Sequence, residues 1–467
     1  MSTADAPGQP GGPVPSAPGA PAPAPDPLQL LRSKNYVGLL LLAAIVGAPV
    51  AAAAYFFLKA INETQQYLFT DLPSDLGFDG APAWWPLIPL AVGGLLVGLA
   101  IQYLPGNGGH NPAEGFKATG APEAIELPAI VVAAFVTLAF GAVLGPEAPL
   151  IAIGGGLGAL VVHLVKRDAP AMAVSVIGAA GSFAAISALL GSPVVGAFLL
   201  MEAAGLGGAL MGVILVPGLL ASGVGALVFI GLYAWTGSAP FTLAIPDIPA
   251  IGAPTAGELL WAVGIGIAAA VLGTVIKRSA LALQPIVVRR RVLLTPLVGL
   301  LVAAAAVVFA QATDKGAEQV LFSGEVTLPP LLQEAASWTV GALVLLVLLK
   351  AVAYALSLSC FRGGPTFPGM FIGAAGGLAL SHLPGLTPIA GAAMGIGAMT
   401  VAMLGLPLTS VLLTTLFLQT DAFDLMPLVI VAVVVSYVAS ARLAPPPASA
   451  RPLPTATSDH AAPRAPV

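Results

Sequence analysis

Long apolar segments separated by short polar or Pro/Gly-rich stretches run through most of this chain. We predict helices over 36–61, 84–103, 127–144, 149–165, 171–190, 193–204, 211–234, 258–276, 292–311, 335–359, 369–383, 389–404, 407–420 and 426–441. Several are shorter than the roughly 20 residues that a helix needs to span a bilayer. Short, Gly/Pro-interrupted segments at matching places in two halves indicate helices that end within the membrane around a binding site. The alternative is a set of ordinary spans broken by tolerated prolines.

The composition assigns the chain to a class of protein. It is 58% hydrophobic and 8% charged, whereas soluble domains carry about 25% charged residues. The sequence therefore predicts an all-α polytopic membrane protein. A net charge of −4 gives no reason to expect a nucleic-acid partner. The single cysteine, Cys360, excludes an intramolecular disulfide, and we find no motif for a cofactor, a metal or an enzymatic nucleophile.

The tails differ in composition from the apolar region. We predict a disordered Pro/Ala-rich tail over 1–30, a transmembrane domain over 31–442 and a disordered Pro-rich tail over 443–467. The domain divides into repeat halves at roughly 36–235 and 258–441. Because Arg32 and Lys34 precede the first apolar segment, the positive-inside rule places the N-terminus in the cytoplasm of a multi-pass cell-membrane protein.

One short pattern occurs twice, as Gly-Pro-Glu-Ala-Pro at 145–149 and Gly-Pro-Thr-Phe-Pro at 364–368. At one constant offset, the copies share Gly145/Gly364, Pro146/Pro365, Pro149/Pro368, Ile153/Ile372, Gly154/Gly373 and Gly158/Gly377. Proline suits the start of a helix, so both copies predict helix N-termini within the membrane. Such ends present unpaired N–H groups and bind anions.

A second repeat follows each copy in the same order. It matches Gly181, Ala184, Ala188, Leu190, Gly191 and Pro193 to Gly395, Ala398, Ala402, Leu404, Gly405 and Pro407. Packing of small residues explains most of these glycines. The two repeats together favour a protein built from two related halves.

Glu147 is the one charged residue between Glu126 and Lys166. An acid within a membrane costs at least ~2.5–3.5 kcal/mol at a helix centre and is a functional-site hypothesis by default. The helix N-terminus offsets that cost with N–H groups that an anion also needs. Carboxylate and anion should therefore compete for one site, and protonation of Glu147 should release it. The alternative is a buried structural acid.

These residues resemble the CLC family of chloride channels and chloride/proton antiporters. Residues 145–149 are similar to its G-[KR]-E-G-P gate motif, and 363–368 to its G-G-x-[FL]-x-P motif. Lys350 lies on the preceding helix, where members often carry a basic residue, and Pro193 with Glu202 resembles a further family helix. The resemblance covers most of 36–441.

The resemblance implies a two-half inverted-repeat fold with one pore per subunit of a homodimer. It also implies Glu147 as the gate and anion-binding amides at Glu147, Ala148, Thr366 and Phe367. We expect a channel for chloride or a similar small anion in the lipid bilayer. The alternatives are a chloride/proton antiporter of the same fold and a non-transporting membrane scaffold.

The sequence departs from the family pattern at the central anion site. The family's serine-bearing turn corresponds best to 108–112, where Gly109, His110 and Asn111 are the candidate anion ligands. His110 is equally well explained as a loop histidine without a role. A turn at 119–123 fits the letters better but lies too close to Gly145. The family's C-terminal tyrosine is also missing, since the last tyrosine is Tyr437.

Glu202 and Lys350 are possible accessory residues. Glu202 either caps helix packing or faces a vestibule, and Lys350 either snorkels to an interface or raises the potential of an anion path. Coupled family members carry an acid immediately after the position of Glu202. Ala203 stands there instead, and this absence favours uncoupled conduction.

Overall fold

The computed structural model describes residues 32–116, 120–205, 207–237, 254–419 and 422–444. These residues form sixteen α-helices: α1 Lys34–Gln66, α2 Leu72–Asp75, α3 Leu87–Tyr103, α4 Leu127–Ala139, α5 Glu147–Val165, α6 Ala171–Leu190, α7 Pro193–Ala203, α8 Gly208–Thr236, α9 Ala256–Arg289, α10 Arg291–Ala312, α11 Leu328–Gln333, α12 Val340–Cys360, α13 Thr366–Leu380, α14 Pro388–Leu404, α15 Pro407–Leu418 and α16 Ala422–Leu443. The predicted tails fall outside this part of the chain, apart from Leu443 and Ala444. So does Thr119 of the alternative turn.

Helix lengths fall into two groups, as the apolar segments predicted. Eight helices in the described ranges are long and apolar enough to cross a membrane, while six shorter apolar helices have 10–17 residues. The described residues contain no β-strand beyond one isolated bridge between Gly145 and Gly364. This confirms the prediction of an all-α, multi-span protein with short helices.

The two sequence repeats pack against each other in the same way in both halves. Gly154 of α5 lies directly against the Gly181 carbonyl of α6, and Gly373 of α13 lies against the Gly395 carbonyl of α14. A Cβ atom at any of these four positions would overlap the facing backbone. Small residues therefore bring each Pro-started helix into close contact with its neighbour.

The Gly-Pro turns of the two halves meet at the antiparallel bridge. The Gly145 N–H donates to the Gly364 carbonyl at 2.8 Å, and the Gly364 N–H donates to the Gly145 carbonyl at 2.6 Å. Pro146 and Pro365 are the N-cap residues, so α5 and α13 begin one residue after each proline. The bridge therefore places two helix N-termini beside each other in the protein interior.

Candidate functional site

The Glu147 carboxylate lies between the two helix N-termini. Glu147 is 1% exposed, and its Oε1 atom accepts a hydrogen bond from the Thr366 N–H of α13. The N–H groups of Phe367 and of Glu147 itself also lie near the carboxylate. Among the described residues, no hydrogen-bond partner satisfies Glu147 Oε2 or the nearby Thr366 hydroxyl. The first half thus supplies an acid to donors of the second half.

The glycines of the bridge leave the space that this carboxylate occupies. A Cβ atom at Gly145 would overlap the Glu147 carboxylate oxygens, and one at Gly364 would overlap its Cδ atom. Glycine is required at both positions for space, because any larger residue would displace the side chain. The shared glycine of the repeat therefore has a direct structural reason.

Each helix end offers a small set of donors. Glu147 and Ala148 precede Pro149 in α5, just as Thr366 and Phe367 precede Pro368 in α13. The prolines have no N–H, so the first two amides of each helix are the donors that face the turn. Two facing sets of amides with a positive dipole end suit a small anion or a carboxylate.

A cavity of about 480 Å³ reaches one side of this site, and we call it the His110 cavity. Its lining runs from the loop after α3 to the start of α5 and the turn before α13. It includes Gly109, His110, Ala148, Gly363 and Pro365. The cavity therefore connects the predicted 108–112 turn with the helix N-termini around Glu147.

The three candidate ligands of that turn make local hydrogen bonds. The Gly109 N–H donates to the Gly106 carbonyl at 3.0 Å, and His110 Nε2 lies 3.0 Å from the Gly115 carbonyl. Asn111 Oδ1 accepts from the Ala113 N–H at 3.0 Å. Gly109 and His110 line the cavity, but these bonds engage the Gly109 amide, one His110 ring nitrogen and the Asn111 carbonyl oxygen. Their role as anion ligands stays a prediction.

The structure adds two polar residues that the sequence analysis did not select. Arg362 is buried, lines the His110 cavity and donates to the carbonyls of Asn107, Cys360 and Phe361. Tyr354 of α12 donates its hydroxyl to the Pro365 carbonyl at 2.7 Å and lies within electrostatic range of Glu147. Both residues come shortly before the Gly-Gly-Pro motif at 363–368, but only the tertiary fold shows that they border the site.

Lys350 lies inside the protein, not at a membrane interface. It is 0% exposed, and its Nζ atom donates to the carbonyls of Gln319, Val320 and Leu321 at 2.9, 3.2 and 3.0 Å. Nζ also lies 4.4 Å from the centre of the Phe371 ring. These contacts of Lys350 hold the loop after α10 against α12 and α13.

Glu202 binds the start of another helix. Its Oε1 atom accepts from the Leu408 N–H at 2.9 Å, and Oε2 accepts from the N–H and hydroxyl of Thr409 at 2.7 and 2.6 Å. These contacts compensate the N-terminus of α15. The carboxylate thus caps a helix, in line with the structural alternative.

A second cavity of about 700 Å³ lies on the other side of the protein, and we call it the Glu325 cavity. Trp85 and Pro86, just before α3, line this cavity, whereas Gly106 and Asn107, just after α3, line the His110 cavity. Helix α3 has 17 residues and is therefore about 25 Å long. The two cavities consequently open at opposite ends of a membrane-scale helix. Ala148, next to Glu147, lines the first cavity, and the Glu325 carboxyl of the second interacts electrostatically with Glu147.

Comparisons with known proteins agree with this architecture. A family model described as voltage gated chloride channel matches residues 93–441. The putative ion-transport protein YfeO of Salmonella newport (strain SL254) is 28% identical over 357 residues, which are 75% of this chain and 82% of the relative.

Solved structures resemble the fold over most of its length. A slow cyanobacterial Cl⁻/H⁺ antiporter matches with a TM-score of 0.69 and 19% identity, covering 87% of this chain and 94% of that chain. A CLC-type fluoride/proton antiporter matches with a TM-score of 0.64 and 19% identity, covering 87% and 96%. At this level of identity, the likeness concerns the fold.

Proposed function

The chain belongs to the voltage gated chloride channel family, and we propose that it exchanges a small inorganic anion, such as chloride, for protons across the membrane. Glu147 is the group that binds the proton and competes with the anion. The observation that carries this proposal is the buried Glu147 carboxylate, which accepts the Thr366 amide at the start of α13.

The exchange follows from competition for the same donors. An ionised Glu147 occupies the amides of α5 and α13 and excludes an anion from them. Protonation removes the charge, weakens its hold on the amides and frees them for the anion. When the proton leaves, the carboxylate returns and expels the anion. One site thus alternates between an anion and a carboxylate.

The two cavities supply the routes to that site. The buried Arg362 gives the His110 cavity a positive charge that attracts anions. Because Arg32 precedes α1 and Lys34 is its first residue, we assign the start of α1 to the cytoplasmic side. Helix α1 ends at Gln66, which lines the Glu325 cavity. In this orientation, the Glu325 cavity faces the outside of the cell.

The solved structures with a similar fold support exchange over simple conduction. The two described above are a slow cyanobacterial Cl⁻/H⁺ antiporter and a CLC-type fluoride/proton antiporter. The homodimer implied by the family resemblance is part of the same proposal, and the mass of the protein in detergent tests it.

The second candidate function is a passive anion channel gated by Glu147. One observation favours it: Glu202 is engaged at the start of α15, and Ala203 beside it has no titratable group. A relay of protons through a membrane needs acids, histidines or water. The channel would need no proton path beyond the one that protonates Glu147.

Purified protein in liposomes distinguishes the two functions. An imposed chloride gradient should drive protons against their own gradient at a fixed ratio, and a Glu147→Ala variant should move anions without protons. Anion flux in the wild type without any uphill proton movement would establish the channel instead. No anion flux in either protein would refute both functions.

A further inference from the structure

Glu325 is an acid that the mechanism above does not use. It follows Gly324 in the loop between α10 and α11 and lines the Glu325 cavity. The residue as a whole is half-buried. Its Oε2 atom, however, is inaccessible to solvent and has no hydrogen-bond partner in the described part of the chain. A buried carboxylate oxygen without a donor is costly when ionised, so the geometry favours a carboxyl group that holds a proton.

The carboxyls of Glu325 and Glu147 lie close enough for their charges to interact. Burial raises the pKa of Glu325 to about 8, and the Glu147 charge contributes to that increase. Two interacting acids release their protons as a pair rather than independently. Near neutral pH, an ionised Glu147 is therefore accompanied by a protonated Glu325.

The loop that carries Glu325 is held in place by contacts from two helices. Lys350 of α12 binds the carbonyls of residues just before it, and a Cβ atom at Gly324 would overlap the Phe371 ring of α13. The charged groups around the loop are Glu147, the Lys350 ammonium and Glu318, which lines the same cavity and is exposed. Lys350 is thus a positioning residue for the loop.

We propose that Glu325 is the proton-exchanging residue between the Glu325 cavity and Glu147. This inference rests on the proposed exchange function. In the step toward the site, an O–H bond of Glu325 breaks and an O–H bond of Glu147 forms, directly or through cavity water. A hydronium ion in the cavity then restores the proton of Glu325. The reverse transfer discharges protons to the same cavity.

The charge of Glu325 also affects the entry of anions. An ionised carboxylate at the mouth of an anion path repels anions, whereas a protonated one does not. Transfer of the Glu325 proton to Glu147 frees the amides while adding a negative charge at the cavity. Reprotonation of Glu325 from the cavity then removes that charge and completes the opening of the path.

Glu325→Gln, compared with Glu318→Gln, tests the proposal in the full-length protein. Both changes remove one acid from the lining of the same cavity, but Glu318 is exposed. In liposomes, Glu325→Gln should lower proton flux by about a hundredfold or more, the scale of a lost proton-transfer group, while anion flux persists. Glu318→Gln should keep both fluxes, and Glu325→Asp should restore part of the proton flux.

Infrared titration of the carboxyl groups gives a readout independent of transport. The wild type should show a protonated carboxyl band that titrates near the Glu325 pKa of about 8. The band should be missing from Glu325→Gln. It should move to lower pH in Glu147→Gln, because the charge that raises the Glu325 pKa is gone. An unchanged band in Glu325→Gln, together with wild-type proton flux, would overturn the proposal.

Failure of the exchange function has its own signature. If the wild type moves anions but no protons, exchange is refuted, and the pH dependence of anion flux decides the role of Glu325. The pH at which anion flux is half-maximal is then compared among the proteins. If this pH shifts in Glu325→Gln but not in Glu318→Gln, Glu325 still delivers protons to Glu147. The same half-maximal pH in the wild type, Glu325→Gln and Glu318→Gln would contradict a role of Glu325 in proton delivery.

Discussion

The two Gly-Pro turns have the same backbone design and opposite chemistry. Each begins with a glycine of the bridge, has proline as the N-cap and has a second proline three residues later. The residue that starts the helix is Glu147 in the first copy and Thr366 in the second. One copy therefore contributes an acid, and the other contributes the amide that binds it.

In the proposed mechanism, this difference is what lets the two Gly-Pro turns form one anion site. Two identical turns with threonine would give two sets of donors and no gate, and two with glutamate would place like charges together. In the proposed mechanism, a single acid opposite a single set of amides gives a site with two states. Substitutions that change one of the two turns at a time test this difference.

The largest effect is expected from removal of the acid. In Glu147→Gln or Glu147→Ala, no carboxylate competes for the amides, so the anion path should stay open and lose the pH dependence that Glu147 imposes. Wild-type flux should rise as the pH falls, because protonation releases the site. Flux measured in liposomes across a pH series tests this, and identical pH profiles in wild type and both variants would contradict it.

The next effect concerns the amide opposite the acid. Thr366→Pro removes the N–H at the first helical position, which proline otherwise tolerates. Loss of one buried donor costs about 1–3 kcal/mol, so anion affinity should fall roughly 5- to 150-fold.

Thr366→Val is the matched control for that variant, because it keeps the amide and loses only the hydroxyl. Its affinity should change much less. Isothermal titration with chloride measures both variants, and equal affinities would show that this amide does not bind the anion.

The sequence predicted the backbone of this site better than its surroundings. The Gly-Pro turns and the helices that follow them were predictable from local patterns, because glycine and proline have few uses at such positions. The competition of Glu147 with an anion stays a prediction. The roles of Arg362, Tyr354 and Glu325 depend on which segments pack together. In the sequence, Glu325 looks like an ordinary charged loop residue, and only the fold shows that its carboxyl is buried.

The contacts of Lys350 were likewise not predictable from the sequence. Its sequence context allowed either snorkelling or a role in the anion path. The structure shows its ammonium group buried and bound to carbonyls about thirty residues earlier in the chain, so it does not snorkel to an interface. Its role in the anion path stays a prediction. No local pattern indicates such a contact, because the carbonyls belong to a loop without a distinctive composition.

A smaller effect is expected from the glycine that makes room for the acid. The added methyl group in Gly364→Ala overlaps the Glu147 carboxyl, and overpacking of this kind costs about 1–3 kcal/mol. We expect a lower melting temperature and partial loss of pH dependence as the side chain is displaced.

Gly376→Ala is the control on the same helix, α13. A Cβ atom there meets only a Val347 methyl group at 4.0 Å, so its thermal unfolding should match or exceed that of the wild type. Equal destabilisation by both substitutions would mean that crowding at Glu147 is not the cause.

The smallest effect is expected at Glu202, outside the paired turns. Glu202→Gln keeps the shape but weakens the cap of α15, at a cost of about 1 kcal/mol. Thermal unfolding should detect this loss, while the ratio of protons to anions stays constant. A changed ratio would place Glu202 on the proton path.

The bridge between the turns also has a consequence for biogenesis. Glu147 and its partner Thr366 are 219 residues apart, and at synthesis rates of about 5–20 residues per second the second half emerges roughly 10–40 s after the first. The nascent first half must therefore hold an intramembrane acid before its partner exists. Protonation or hydration of Glu147 would lower the free energy of this acid in the membrane until Thr366 is available. Assembly of the contact between Glu147 and Thr366 is thus a late event, completed only when the two halves dock.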